Sequence, residues 1–216
     1  MRGMDRLRVG RRALLVGASA CLLADRASAA DAVDALLARI ASARATLHTL
    51  RGPFVQTRTI GLLATDVRST GTLTLVRPDR LRWELAPPDA VTFWIGPEGL
   101  AYRDAHGQAR LPATTARMAA GLDDLRTMLG GDPARLRERW ELTVTRDDAT
   151  GAELDATPRT SAGALLQHLR FALAPDLVRP VRATLTEGPH DRTVIEFGTL
   201  VVDGPVDVES MKPPRG

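Results

Sequence analysis

Apolar residues recur at every second position in short segments along most of this chain, and turn residues separate the segments. That alternation admits few folds, because successive side chains point to opposite faces only in a strand. Thr72 to Val76 and Leu81 to Leu85 carry the pattern, and Arg77-Pro78-Asp79, Pro87-Pro88-Asp89 and Gly96-Pro97 break it. Beyond residue 140 it returns. Trp140, Leu142 and Val144 alternate with Glu141, Thr143 and Thr145; Leu169, Phe171 and Leu173 with Arg170 and Ala172; Val181, Ala183 and Leu185 with Arg182 and Thr184. One face of each segment is apolar and the other is wet, as in antiparallel strands with a single buried side.

Two stretches switch to helical spacing. Val33, Leu36, Leu37, Ile40, Leu47 and Leu50 predict an amphipathic helix over residues 31–50, with Asp31 and Asp34 in a first turn where negative charge suits the helix dipole, and Gly52-Pro53 as its stop. Met118, Leu122, Leu125, Met128 and Leu129 predict a second helix over 114–131, and Asp132-Pro133 opens a short one that runs into Trp140. Many short strands, with helices only at the start and in the middle, predict an α+β fold that is mainly β. The expected form is one strongly curved antiparallel sheet or open barrel whose concave face is closed by helices, built as one domain over residues 30–216.

The first 29 residues read as a secretory signal peptide. Arg2, Arg6, Arg8, Arg11 and Arg12 precede an uncharged run from Ala13 to Ala24, and Ala27-Ser28-Ala29 supplies a small-x-small cleavage site. The mature chain is therefore expected to begin at Ala30, outside the cytoplasm. The apolar run is about half of the roughly 20 residues that a bilayer span requires. Arg11-Arg12 also permits twin-arginine export. An alternative is a lipoprotein box at Ala18-Ser19-Ala20-Cys21, which would leave Cys21, the only cysteine, lipidated and retained. Cleavage after Ala29 would instead leave no thiol, so stability in an oxidising compartment would rest on the core. Residues 30–216 hold 23 basic and 24 acidic side chains, so the isoelectric point near 9.9 belongs to the leader. No basic surface remains to neutralise nucleic-acid phosphates.

Catalytic constellations are absent from the sequence. Lys212 is the only lysine, which rules out a P-loop site. His48, His106, His168 and His190 are dispersed, without the spacing or the cysteines of a metal centre. The serines lack the glycine-flanked elbow of a hydrolase, and Asp123-Asp124 and Asp147-Asp148 read as solvated charge. No cofactor or metal is expected. What the residues describe is a non-enzymatic binding protein with an apolar interior.

Phe54-Val55-Gln56, the run from Gly71 to Asp79 (GTLTLVRPD), Leu81-Arg82-Trp83-Glu84 and Pro88-Asp89 resemble the opening strands of the LolA family, periplasmic carriers of outer-membrane lipoproteins. Leu169 to Leu185 and Thr193 to Phe197 look like that family's late strands. Val206 to Val208, followed by Pro213-Pro214-Arg215-Gly216, looks like its closing strand and ending. The resemblance implies an unclosed barrel with a helical lid over a cavity for acyl chains. It also implies that Arg77, just before Pro78, points inward and bonds to the lid as a switch. Alternation agrees in putting Leu73, Leu75 and Arg77 on one face; the alternative is a solvated arginine at a strand end.

The cavity would be lined by Phe54, Leu73, Leu75, Trp83, Leu85, Val91, Phe93, Leu169, Phe171 and Leu173, and the lid's inner face formed by Met118, Leu122, Leu125 and Met128. Each also fits an ordinary sheet–helix core. Trp94 falls on the face opposite Phe93 and is expected to be exposed where a partner docks. As implied by the resemblance, the partners are acylated lipoprotein or another lipid as cargo, an inner-membrane extraction complex as donor and an outer-membrane acceptor, with the carrier a monomer. Arg58 to Leu63, Ser69 to Gly71 and Leu129 to Asp132 also look similar to a divergent LolA-like branch, which leaves another exported lipid open as cargo. A membrane-anchored interaction module, held through Cys21, is the reading from a different class.

Overall fold

A computed structural model describes residues 16–61, 65–97, 99–104, 106–110, 124–160 and 166–213. Helix α1 (Val16–Ala43) is followed by the long hairpin β1 (Thr49–Ile60) and β2 (Thr65–Val76), then β3 (Arg80–Leu85), β4 (Thr92–Gly96), β5 (Gly99–Asp104) and β6 (Gly107–Arg110). Helix α2 (124–130), a 3-10 turn at Pro133–Arg135 and α3 (Leu136–Arg139) lead into the second set of strands. These are β7 (Trp140–Asp148), β8 (Gly151–Pro158), β9 (His168–Leu173), β10 (Pro180–Thr186), β11 (Arg192–Phe197) and β12 (Val201–Val202).

All ladders are antiparallel, in the order β6-β5-β4-β3-β2-β1-β11-β10-β9-β8-β7, with β12 beside β11 on the same edge of β1. β1 is thus the centre, and successive hairpins extend the sheet in both directions. Strands β6 and β7 are its two ends, so the sheet is unclosed, and the chain from β6 to β7 carries α2 and α3. This is the mainly β, lid-covered architecture that the alternation predicts.

Direct cross-strand pairs share a face, so the register fixes which residues look inward. Leu73 opposes Trp83, which opposes Phe93; Leu75 opposes Leu81, which opposes Ile95. Across β1, Phe54 opposes Phe197, and farther on Phe171 opposes both Ala183 and Leu154. With Val33, Leu36, Leu37 and Ile40 of α1 these side chains form one core, against which the partly buried Phe93 and Phe197 pack. Arg39 of α1 bonds both carboxylate oxygens of Asp147 at 2.7 and 2.9 Å, and Arg137 of α3 meets Asp34 at 2.5 Å, tying the helix to β7 and α3.

The predicted helix over 31–50 is corrected at its end. α1 stops at Ala43, Leu47 lies in the connecting turn and Leu50 belongs to β1. The chain keeps a three-residue spacing of buried leucines while it turns the corner, and this imitates a helix. Gly52-Pro53 lies inside β1 rather than stopping a helix. Pro53, which has no N–H to give, sits where β1 changes partner from β12 to β11, while a Cβ on Gly52 would stand 2.6 Å from Leu200. Val206–Val208 form no strand either. β12 is the last strand, and Asp203 then turns the chain, its Oδ1 accepting from the N–H groups of His48 and Thr49 at 2.7 and 3.0 Å. Among the described residues no helix is long and apolar enough to cross a membrane.

Candidate functional site

The concave face of the sheet is apolar over its middle. Phe54, Leu73, Leu75, Trp83, Leu169, Phe171 and Leu173 are buried there, and Leu85, Val91 and Phe93 are half-buried. Phe54 stacks on Trp83 with ring centroids 3.9 Å apart, and Trp83 meets Phe197 edge-on at 6.4 Å. Leu81, Ile95, Leu154 and Ile195 complete the surface. Toward the tip of the β1–β2 hairpin the same face turns polar. Gln56 opposes Ser69, and Arg58 opposes Thr193.

Helix α2 lies against this surface. Leu125, Met128 and Leu129 are buried, and a Cβ on Gly130 would stand 2.1 Å from Cδ2 of Leu75, so a side chain there would force the helix or the leucine to shift. Met118 and Leu122, the other two residues of the predicted lid face, lie outside the described residues. Asp124, at the start of α2, is buried and faces Arg139 at 3.0 Å.

At the other end of α2 stand two arginines. Arg77 is half-buried, and its main-chain N–H donates to the His48 carbonyl at 2.9 Å, prolonging the strand pairing past β2. Its Nη1 donates to the main-chain carbonyl of Arg44, the first residue after α1. Arg44 is only 2% exposed. Its Nη1 donates to the Met128 carbonyl at 2.6 Å, and its Nε to the Leu177 carbonyl at 3.2 Å. Leu177 holds φ at +56° in the turn between β9 and β10, where Asp176 Oδ1 accepts from the N–H groups of Val178 and Arg179 at 3.0 Å each. The last carbonyls of a helix lack partners within it and favour a nearby cation. Arg44 supplies that cation to α2.

Arg44 Nη2 is buried and has no acceptor among the described residues. Burial, reinforced by the like charge of Arg77 and opposed by Asp176, pulls the Arg44 pKa down to about 10, so the group stays charged at neutral pH. Leaving a buried donor unanswered costs on the order of 1–3 kcal/mol, and more on a charged group. The joint of helix and sheet is therefore held by strong bonds and is incompletely satisfied.

Sequence reasoning singles out Arg77 and passes over Arg44. The signal was available: Arg44 follows Ile40 by four residues, on the apolar stripe of α1. The expected exposure of Trp94 is overturned. It does lie on the outer face, but it is only 6% exposed, because the segment after β12 crosses it. Trp94 Nε1 donates to the Ser210 carbonyl at 3.0 Å, Met211 is buried beside it, and Arg82 and Arg103 stand 5.9 and 6.0 Å from its ring. Among the described residues no three histidine, cysteine, aspartate or glutamate side chains gather as metal ligands.

The family model of the outer membrane lipoprotein carrier protein LolA matches residues 45–211. No curated protein matches the sequence. The chain is similar to the solved structure of an uncharacterized conserved protein from Thermus thermophilus, at 7% identity and a TM-score of 0.51 over 85% of this chain and 95% of that one. It is also similar to a DUF1329 family protein from Desulfovibrio piger, at 10% identity and a TM-score of 0.50 over 82% and 94%. A LolA superfamily protein from Nitrosomonas europaea aligns at 7% identity and a TM-score of 0.48 over 83% and 97%. At such identities the first two likenesses are ones of fold alone.

Proposed function

The chain belongs to the LolA family, and on that premise we propose that it is a periplasmic carrier that shelters acyl chains between the concave sheet face and the helical lid. It takes them from an inner-membrane donor and delivers them to an outer-membrane acceptor, with lipoprotein as the first choice of cargo. The observation that carries this reading is the apolar concave face, continuous from Phe93 through Leu73 and Phe54 to Phe171 and met by Leu125 and Met128 of α2.

Burying one CH₂ gains about 0.8 kcal/mol, so a dozen carbons sheltered from water are worth on the order of 10 kcal/mol. Escape of such a chain through water would be very slow. Delivery therefore runs from mouth to mouth, and a lid that closes on the empty site offsets part of the binding energy at the moment of transfer. In this reading Arg77 and the carbonyl it holds set the closed position of the lid, and the protein performs no chemistry on its cargo.

The test is native mass spectrometry of the protein purified from periplasm without detergent. A chain that starts at Ala30 and carries a lipid or acylated peptide is the expected result, and the added mass identifies the cargo class. A diacylated chain that starts at Cys21 with nothing bound would overturn the carrier reading in favour of an anchored module.

A further inference from the structure

Residue 44 is the point where four parts of the molecule meet. Its backbone ends α1, its Nη1 holds Met128 of α2, its Nε holds Leu177 in the β9–β10 turn, and its carbonyl receives Arg77 from the end of β2. It directly precedes the stretch matched by the family model, so its part is read from this chain's own contacts. Among these bonds the contact between a lid helix and a guanidinium belongs to Arg44. Arg77 reaches the described part of the lid only through the backbone of residue 44.

We propose that Arg44 is the positioning residue of the lid: it latches the C-terminal end of α2 to the barrel, and Arg77 acts on α2 in series with it, by fixing where Arg44 stands. The inference rests on the carrier reading for the purpose of lid movement; the order of the two arginines does not depend on it. Two features make the latch releasable. Both acceptors are main-chain carbonyls of separate elements, so moving α2 breaks one bond and leaves the other. The unanswered Nη2 donors gain water when α2 lifts, which returns part of what the broken bond to Met128 loses. A fully satisfied arginine in the same place would hold the lid more tightly and release it more slowly.

Series and parallel latches differ in a double-mutant cycle, which isolates coupling between neighbouring groups. The measurement is hydrogen exchange of the empty full-length protein, read on a peptide covering residues 124–130 with a β8–β9 peptide as internal reference. Arg44→Leu is expected to speed exchange at 124–130 about tenfold or more and leave β8–β9 unchanged, and Arg77→Leu to speed it less. The double variant should match Arg44→Leu alone, and Arg44→Lys, which can still reach one carbonyl, should recover part of the protection. An additive double variant, or protection at 124–130 unchanged by loss of Arg44, would overturn the inference. If Arg44→Leu does not fold, Arg44→Lys and its double with Arg77→Leu decide by the same comparison. Uptake of a fluorescent sixteen-carbon fatty acid is measured alongside. Failure of the unmodified protein to take it up counts against the carrier reading and leaves the exchange result standing, whereas uptake with unchanged exchange removes the latch alone.

Discussion

The guanidinium of Arg77 donates to the main-chain carbonyl of Arg44, so an arginine at the end of a strand and an arginine at the end of a helix form one chain of bonds that finishes on the lid. Removing the first link should loosen the second without emptying the core. Arg77→Leu is expected to lower unfolding free energy by about 1–2 kcal/mol, the range for a half-buried charged donor. In the proposed carrier it should leave acyl-chain uptake intact and impair onward transfer. Urea denaturation and transfer of a labelled lipoprotein to acceptor vesicles check the two parts, and unimpaired transfer would count against the switch.

Gly130→Ala tests the seating of α2. The added Cβ would stand 2.1 Å from Leu75 Cδ2, so either helix or leucine has to shift, at a cost of about 1–3 kcal/mol. Leu75→Ala in the same chain vacates that space. The pair should then be less destabilising than the sum of the single changes, as thermal unfolding of the four proteins would reveal; strict additivity would mean that the helix does not pack there.

Trp94→Phe tests the segment that crosses the outer face. It removes the donor to the Ser210 carbonyl and some buried volume, for about 1–2 kcal/mol. Limited proteolysis within residues 204–213 should accelerate while β8–β10 remain protected. Equal cleavage rates in both proteins would show that the segment holds by other contacts.

Acid should weaken the outer face of β8 and β9 in a defined direction. Nε and Nη2 of Arg170 donate to Asp155 at 2.7 and 2.9 Å and hold its carboxyl below the ordinary 3.8, with His168 adding to the effect and partial burial opposing it. A carboxyl whose pKa is lower folded than unfolded adds stability that is complete above the unfolded value and drains as pH falls through the folded one. The stability difference between the unmodified protein and Asp155→Asn should therefore shrink as pH falls below the ordinary 3.8. Denaturation across that range checks the sign.

Alternation makes the sheet legible because polar side chains mark the outward side of most strands: Leu169, Phe171 and Leu173 stand out beside Arg170 without any knowledge of their neighbours. The inward set that contains Phe54, Leu73 and Trp83 follows from the same rule. The corner at residues 44–50 misleads for a physical reason, since a turn between a helix and a strand can keep the spacing of a helix. Arg44 is harder. A charge on an apolar stripe is visible locally, but its acceptors lie 84 and 133 residues farther along, and no local pattern carries that information. Trp94 is a case of the same kind, its cover arriving from a segment 116 residues away.

The two ends of the sheet give the molecule one more property. In a closed barrel strand number and stagger together fix the radius, and the interior cannot widen without breaking a ladder. Here β6 and β7 are joined by helices instead of by a ladder among the described residues. Splaying those two strands would change the girth of the interior without the loss of a single strand-to-strand bond, so in the proposed carrier one scaffold would take acyl chains of different length and number by flexing at its seam.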